Sequence, residues 1–326
     1  MTLRARYVRH TPTILLTALT LLIAGVACGQ QNPTGPHSLQ WGAYLPDLGG
    51  SDVTSDAGVV GVASLADRTL DYILTFSSLN QPVPLDDLSV SSSAGAMPVL
   101  TIEPWNPNSG IEQSEYRLAR IAQGAHDSDI HRWATELATW GHPVILRFAH
   151  EMNGNWYPWG TEVNGNSASD YRAAWRHVHD IFEKAGAKNV AFMWAPMAAV
   201  AGVSDFTPAY PGSDYVDYLG LDGYNWGNDG IHGWASPDYI FTASLDRLRR
   251  LDGQKPVVIA EVASADDPDP TLKAAWIRQF ISLASQTSGL SGFIWFQANK
   301  ERDWRFNSTP QSESAFRSSL SEIPSA

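Results

Sequence analysis

Glu151 and Glu261 each end a run of strand-like apolar residues, and a carboxyl in that position needs a reason to be there. Glu151 lies in Arg147-Phe148-Ala149-His150-Glu151-Met152-Asn153-Gly154-Asn155-Trp156-Tyr157-Pro158-Trp159-Gly160, and Glu261 closes Pro256-Val257-Val258-Ile259-Ala260-Glu261. Leaving an unpaired charge beside Val, Ile and Ala is costly, so each carboxyl should serve a site rather than the core. Two carboxyls facing one bond can act as acid and nucleophile in cutting a glycosidic linkage, and nearby tryptophans can stack on pyranose faces. With Trp156 and Trp159 close by, Glu151 has the apolar cover that keeps an acid protonated near neutral pH. Glu261 is then the ionised nucleophile, held by a donor such as the Tyr224 hydroxyl or Arg147. His150, next to the acid, would bind a sugar hydroxyl or orient the carboxyls.

These residues need a scaffold that brings distant strand ends together. Strand-like runs fall at 39–44, 70–76, 97–103, 143–148, 190–195, 218–222, 257–261 and 293–296. Most are short and apolar throughout, as expected of parallel strands covered on both faces. Between them, 127–140, 169–184, 237–251 and 271–285 carry apolar residues at helical spacing. Asp127 or Ser128 is placed to cap the first of these helices. The apolar faces are read as Tyr239, Leu245 and Leu248 on the third and Leu272, Trp276, Ile277 and Phe280 on the fourth. Strands alternating with helices in this number predict a single α/β domain, a (β/α)8 TIM barrel over 39–326. An open doubly wound sheet would want a Gly-rich phosphate loop after the first strand, and none is present.

Barrel enzymes work at the C-terminal ends of their strands. Here those ends read Glu103-Pro104-Trp105, His150-Glu151, Trp194-Ala195-Pro196, Asp222-Gly223-Tyr224-Asn225-Trp226, Glu261 and Trp295-Phe296-Gln297. Six strand ends thus converge on carboxylates, a histidine, a tyrosine and tryptophans. Other chemistries lack their residues. No second ligand pair accompanies His150 and Glu151, so no metal is expected, and no Gly-x-Ser-x-Gly elbow marks a serine hydrolase. No cofactor is implied. The acidic run Asp266-Asp267-Pro268-Asp269-Pro270 reads as a solvated loop leading into a helix.

Composition agrees. The 326 residues are 44% apolar and 17% charged, enough for a large core, with 13 tryptophans. A formal charge of −12 and no basic stripe argue against nucleic acid as a partner. Arg4, Arg6 and Arg9 followed by the uncharged stretch 14–26 read as an export signal over 1–27. Cys28, the one cysteine, follows Gly25-Val26-Ala27 in a pattern similar to a bacterial lipobox, so a lipid anchor and simple secretion are both consistent with it. Residues 28–38 read as a short tether. With a single cysteine the chain has no internal disulfide, and its core must hold the fold.

The eleven residues from His150 to Gly160, preceded by Arg147-Phe148, resemble the acid/base segment of glycoside hydrolase family 26. Ile259-Ala260-Glu261 is similar to that family's nucleophile strand. Glu103-Pro104-Trp105, Asp222-Gly223-Tyr224, Ile294-Trp295-Phe296 and Asp303-Trp304-Arg305 extend the likeness over about 41–307. The resemblance implies a retaining (β/α)8 enzyme acting without cofactor on β-linked polysaccharide, with Glu151 as acid/base and Glu261 as nucleophile. It further implies that Trp156 and Trp295 line the cleft as sugar platforms beside Tyr224, with Trp105, Trp159, His150 and Arg147 as further substrate contacts. Most members of the family are endo-β-1,4-mannanases, so mannan is the first expectation. Pro158 stands where many mannanases carry an aromatic residue, and the spelling around it resembles the branch that includes mixed-linkage β-1,3-1,4-glucanases. A reading from another class is a surface lipoprotein that binds polysaccharide without cutting it. Such a binder needs the tryptophans but not both carboxyls.

Overall fold

In the computed structural model the described residues are 38–46, 48 and 58–324. The expected export segment, Cys28 and nearly all of the tether lie outside them. Eight parallel strands close on themselves: β1 Gln40–Tyr44, β2 Tyr72–Ser78, β3 Met97–Glu103, β4 Val144–Phe148, β5 Val190–Trp194, β6 Tyr218–Asn225, β7 Val257–Ser264 and β8 Leu290–Phe296. Each pairs with its sequence neighbour, and β1 pairs with β8 from Gln40↔Gly292 to Tyr44↔Phe296. The helices are α1 Val59–Ala66, α2 Leu85–Ser93, α3 Leu118–Ala122, α4 Asp127–Trp140, α5 Ala168–Lys184, α6 Pro237–Leu251, α7 Pro270–Gln286 and α8 Pro310–Ser321. This is the (β/α)8 barrel that the alternation of elements predicts.

Closure divides the apolar residues into two cores. Tyr72, Leu74, Val99, Ile145, Met193, Ala195, Val258, Ala260 and Ile294 fill the barrel interior, while the other side of the strands packs under the helices. Each strand is buried on both faces, which is why its sequence shows an unbroken apolar run instead of an alternation. One close approach matters to closure. A Cβ on Gly42 would sit 2.3 Å from the Tyr72 carbonyl oxygen, so only glycine lets β1 lie against β2 there.

Three local expectations are corrected. Residue 126, not Asp127 or Ser128, is the N-cap of α4, and no side chain caps it. The Asp127 carboxylate instead meets His177 Nε2 at 2.6 Å. On α6 the buried stripe is Ile240, Phe241, Ser244, Leu245 and Leu248. Tyr239 lies one residue, about 100° of helix, off that stripe and is 58% exposed. Leu272 in the first turn of α7 is likewise exposed, whereas Trp276, Ile277 and Phe280 are buried as expected. Asp269, from the acidic run, accepts from the Thr271 amide and caps α7.

Candidate active site

The segment after β4 is built to turn sharply and stay turned. Ala149 (φ 48°) and Glu151 (φ 52°) both adopt left-handed backbone, unusual for residues with a Cβ. The surroundings hold them there. The Ala149 amide donates to Ile102 O, the Glu151 amide to Ala195 O, and the Trp159 indole to His150 O. Asn153 ties the loop to the one after β5, donating to Met197 O and Ser204 O and accepting from the Met197 amide. Gly154 is required because a Cβ there would lie 2.4 Å from the Trp156 ring. These constraints aim the Glu151 carboxyl and the Trp156 indole at one another, with Nε1 to Oε2 at 2.6 Å.

Glu261 reaches the same point by a different device. Opposite β6, Leu221 pairs with Ile259 but Asp222 pairs with Glu261, so Ala260 is an extra residue in β7. Val258 and Ala260 both face the barrel interior, and strict alternation would then send Glu261 outward. The irregularity turns Glu261 inward as well, as bulges beside functional sites do. There its Oε1 accepts from Arg147 Nη2 at 2.8 Å and its Oε2 from the Tyr224 hydroxyl at 2.5 Å. The same Arg147 nitrogen donates to Asp222 Oδ2 at 2.5 Å, so a fully buried guanidinium is shared by two carboxylates.

One polar atom each of His150, Glu151 and Glu261 lie within 4.8 Å of one another. A histidine and two carboxylates could form part of a cation site. The Arg147 guanidinium, however, already puts a positive charge against Glu261, and protein donors occupy both of its oxygens. That arrangement is suited to organic chemistry at the carboxyls rather than to metal binding.

The electrostatics favour a protonated Glu151. Burial, reinforced by the negative charge of Glu261, pushes the Glu151 carboxyl up to about 8, against the opposing pull of the Trp156 hydrogen bond and Arg147. Burial, then Arg147 and Lys300, hold His150 well below the usual imidazole range, so it is neutral at physiological pH. Burial also pushes up Glu103, at the end of β3, to about 7, opposed by its hydrogen bond from Trp105 and reinforced by Glu261. Tyr224 is raised well above the ordinary phenol range, by burial and by its acidic neighbours, and stays a hydrogen-bond donor.

Of the sequence candidates, Glu151, Glu261, His150, Arg147, Trp156 and Tyr224 come together, with Trp105 partly exposed at the edge. Two tryptophans do not reach the cleft. Trp159 is fully buried beneath Tyr157, stacked at 4.3 Å, and serves as the post that fixes His150. Trp295 is also fully buried and faces the helices, packing on Trp276, Phe280 and Phe316. On β8 it is Ile294 that points into the barrel and Phe296 that reaches the site, 4.5 Å from Tyr44 and 5.8 Å from Tyr224. The ring beside Tyr224 is Trp304, at 5.1 Å, whose carbonyl accepts from the Trp295 indole. Sequence marks Asp222 and Glu103 only as strand-end residues; their roles emerge from Arg147 and Trp105.

The chain is similar to known proteins. A family model described as glycosyl hydrolase family 26 matches residues 111–244. Endoglucanase H of Acetivibrio thermocellus is 33% identical over 318 residues, covering 94% of this chain and 33% of that protein, so the chain spans about a third of its length. A mannan endo-1,4-beta-mannosidase of Bacillus subtilis (strain 168) is 33% identical over 112 residues, 33% of this chain and 28% of that protein. In fold, the catalytic domain of a Bacillus sp. JAMB-750 endo-beta-1,4-mannanase superposes with a TM-score of 0.66 at 18% identity, covering 87% of this chain and 86% of that one. Glu151 lies within the matched segment, and the Endoglucanase H likeness runs over nearly the whole chain. With the closed barrel and the paired glutamates, these likenesses place the chain in glycosyl hydrolase family 26.

Proposed function

We propose that the protein is a retaining endo-β-glycanase, with Glu261 as nucleophile and Glu151 as acid/base. The observation that carries this is the separation of the two carboxyls. With polar atoms within 4.8 Å of one another, there is no room for the water that an inverting enzyme seats between its carboxyls, which needs about 6.5 Å or more. In the first step Glu261 attacks the anomeric carbon and Glu151 gives its proton to the departing oxygen. In the second, Glu151 takes a proton from water, which displaces the Glu261 ester. Arg147 and Tyr224 position the attacking carboxylate, and Trp156 orients the acid.

For the substrate we favour a β-glucan, because the likeness to Endoglucanase H runs nearly the full length of this chain. Mannan is the second reading, favoured by the Bacillus subtilis mannosidase match. Polysaccharide as substrate accords with export through the segment 1–27.

The test is product release from mixed-linkage glucan, glucomannan, galactomannan and β-1,3-xylan, with Glu261→Ala as the blank. Mixed-linkage glucan should be cut, with the β-anomer appearing first by proton NMR. Cutting of galactomannan instead would select mannan. An α-anomer would overturn the retaining assignment, and binding without cutting would favour the polysaccharide-binding protein.

A further inference from the structure

A third carboxyl stands at the same rim. Glu103 ends β3, where Thr101 pairs with Arg147 and Ile102 with Phe148, so it is flanked by the turn that carries Glu151. Its Oε2 accepts from the Trp105 indole Nε1 at 3.1 Å. Among the described residues no other side chain or backbone group donates to the Glu103 carboxyl. The residue is only partly buried, as are Trp105 and Trp156, so an acceptor oxygen is left facing the cleft. Trp105 meets Tyr157 and Trp159 edge-on, at 5.5 and 5.6 Å, which fixes its ring and the carboxyl bonded to it.

We propose that Glu103 is a specificity-determining residue that contacts substrate: its Oε1 accepts a hydrogen bond from a hydroxyl of the sugar seated against Trp105. The role rests on the glycanase reading and deepens it. A carboxylate held at one oxygen by an indole and open at the other presents a fixed acceptor beside an aromatic face. That combination recognises a pyranose by its flat apolar side and by the direction of a hydroxyl at its rim. An epimer with that hydroxyl turned away leaves the partly desolvated carboxylate without its partner, and discrimination follows.

Glu103→Gln separates contact from scaffolding. The amide oxygen still accepts from Trp105, so the ring stays in place, while the acceptor facing the cleft becomes an NH2 donor. Binding of a hexasaccharide of the preferred polysaccharide is measured calorimetrically at pH 8, with Glu261→Ala as background and with Glu103→Gln added. Affinity should weaken about ten-fold or more. In the active enzyme KM should rise by a similar factor, with kcat changed less than about three-fold. Glu103→Asp, which keeps the charge but shortens the reach, should show the same loss, and thermal melting checks that each variant is folded. Unchanged affinity and KM in Glu103→Gln would overturn the proposal. So would losses confined to Glu103→Ala with a lowered melting temperature, since those mark an anchor for Trp105. A wild-type chain that cuts nothing but binds with Glu103-dependent affinity would sink the glycanase reading and leave the contact standing. A chain that neither cuts nor binds any of the four polysaccharides overturns both.

Discussion

The Tyr224 hydroxyl donates to Glu261 Oε2 at 2.5 Å, on the carboxylate oxygen opposite the one held by Arg147. Both donors stabilise the ionised carboxylate and fix its plane. They also weaken it as a nucleophile, so the bonds must adjust as the ester forms. The site has exchanged intrinsic nucleophilicity for position and charge state.

Removing the Tyr224 hydroxyl should therefore slow both chemical steps. Tyr224→Phe keeps the ring contacts with Phe296 and Trp304 and loses one hydrogen bond to a charged group. A fall in kcat of about ten- to a hundred-fold is expected. Steady-state kinetics on the preferred polysaccharide check it, and an unchanged kcat would remove Tyr224 from the chemistry.

The pair Glu151 and Glu261 was legible in sequence because a carboxyl at the end of an apolar strand has few other reasons to exist. Which way a residue faces was not. In strands buried on both sides, hydrophobicity does not alternate, so nothing in Phe293-Ile294-Trp295-Phe296 says that Trp295 turns to the helices. The extra residue at Ala260 is equally silent, being one more small apolar residue in an apolar run, yet it turns Glu261 inward. Asp222 reads only as a strand-end residue because its partner, Arg147, lies 75 residues away. The eight strands themselves were legible, though β6 and β7 run on beyond the expected ends, from 222 to 225 and from 261 to 264, into the site.

Activity should be lost as pH rises through about 8. The acid must be protonated, and burial with the Glu261 charge pushes Glu151 up to about 8. The alkaline limb of kcat/KM should fall near that value. Stability carries the same sign. In the folded state Glu151 and Glu103, the latter pushed up to about 7, keep protons that the unfolded chain has released. Between about pH 5 and 8 these two carboxyls bind more protons in the folded state, so their contribution to stability declines as pH rises across that window, and neutral His150 opposes it only below about 6.5. Melting temperature against pH checks it, and Glu151→Gln should flatten the decline.

Glu151→Ala should spare substrates that leave without help. Aryl glycosides with acidic leaving groups need no proton in the first step, whereas polysaccharide does. Activity on polysaccharide should fall by about a hundred-fold or more, against a much smaller loss in the first step with an activated aryl glycoside. Equal losses on both would contradict the acid assignment. Added azide, replacing water as an anionic nucleophile, should speed the variant and give a β-glycosyl azide.

Lys273 should matter to the site without touching it. Its buried ammonium donates to Asp303 O at 2.9 Å and Ser308 Oγ at 2.8 Å and pairs with Asp266 at 3.0 Å, joining α7 to the loop after β8. That loop carries Trp304, which packs against Tyr224. Lys273→Met takes the donor from the Asp303 carbonyl and the cation from Asp266, which keeps its bond from Ser308 Oγ, and should cost about 2 kcal/mol of stability. Chemical denaturation measures the loss. A melting temperature equal to wild type would mean that the loop holds itself.

Trp295→Ala distinguishes a sugar platform from a core residue. As a platform its loss would raise KM and leave stability alone. Fully buried between β8 and the helices, with Trp276, Phe280 and Phe316 around it, it should behave as core. Truncating a large aromatic residue in such a place costs about 3–5 kcal/mol, the transfer term plus the cavity left behind. The indole bond to Trp304 O goes with it, so some loss of kcat should follow through the loop beside Tyr224. Trp156→Ala supplies the contrast: partly buried at the cleft and bonded to Glu151, it should cost activity with little change in melting temperature. If Trp295→Ala instead melted like wild type and raised KM alone, the orientation of β8 described above would be wrong.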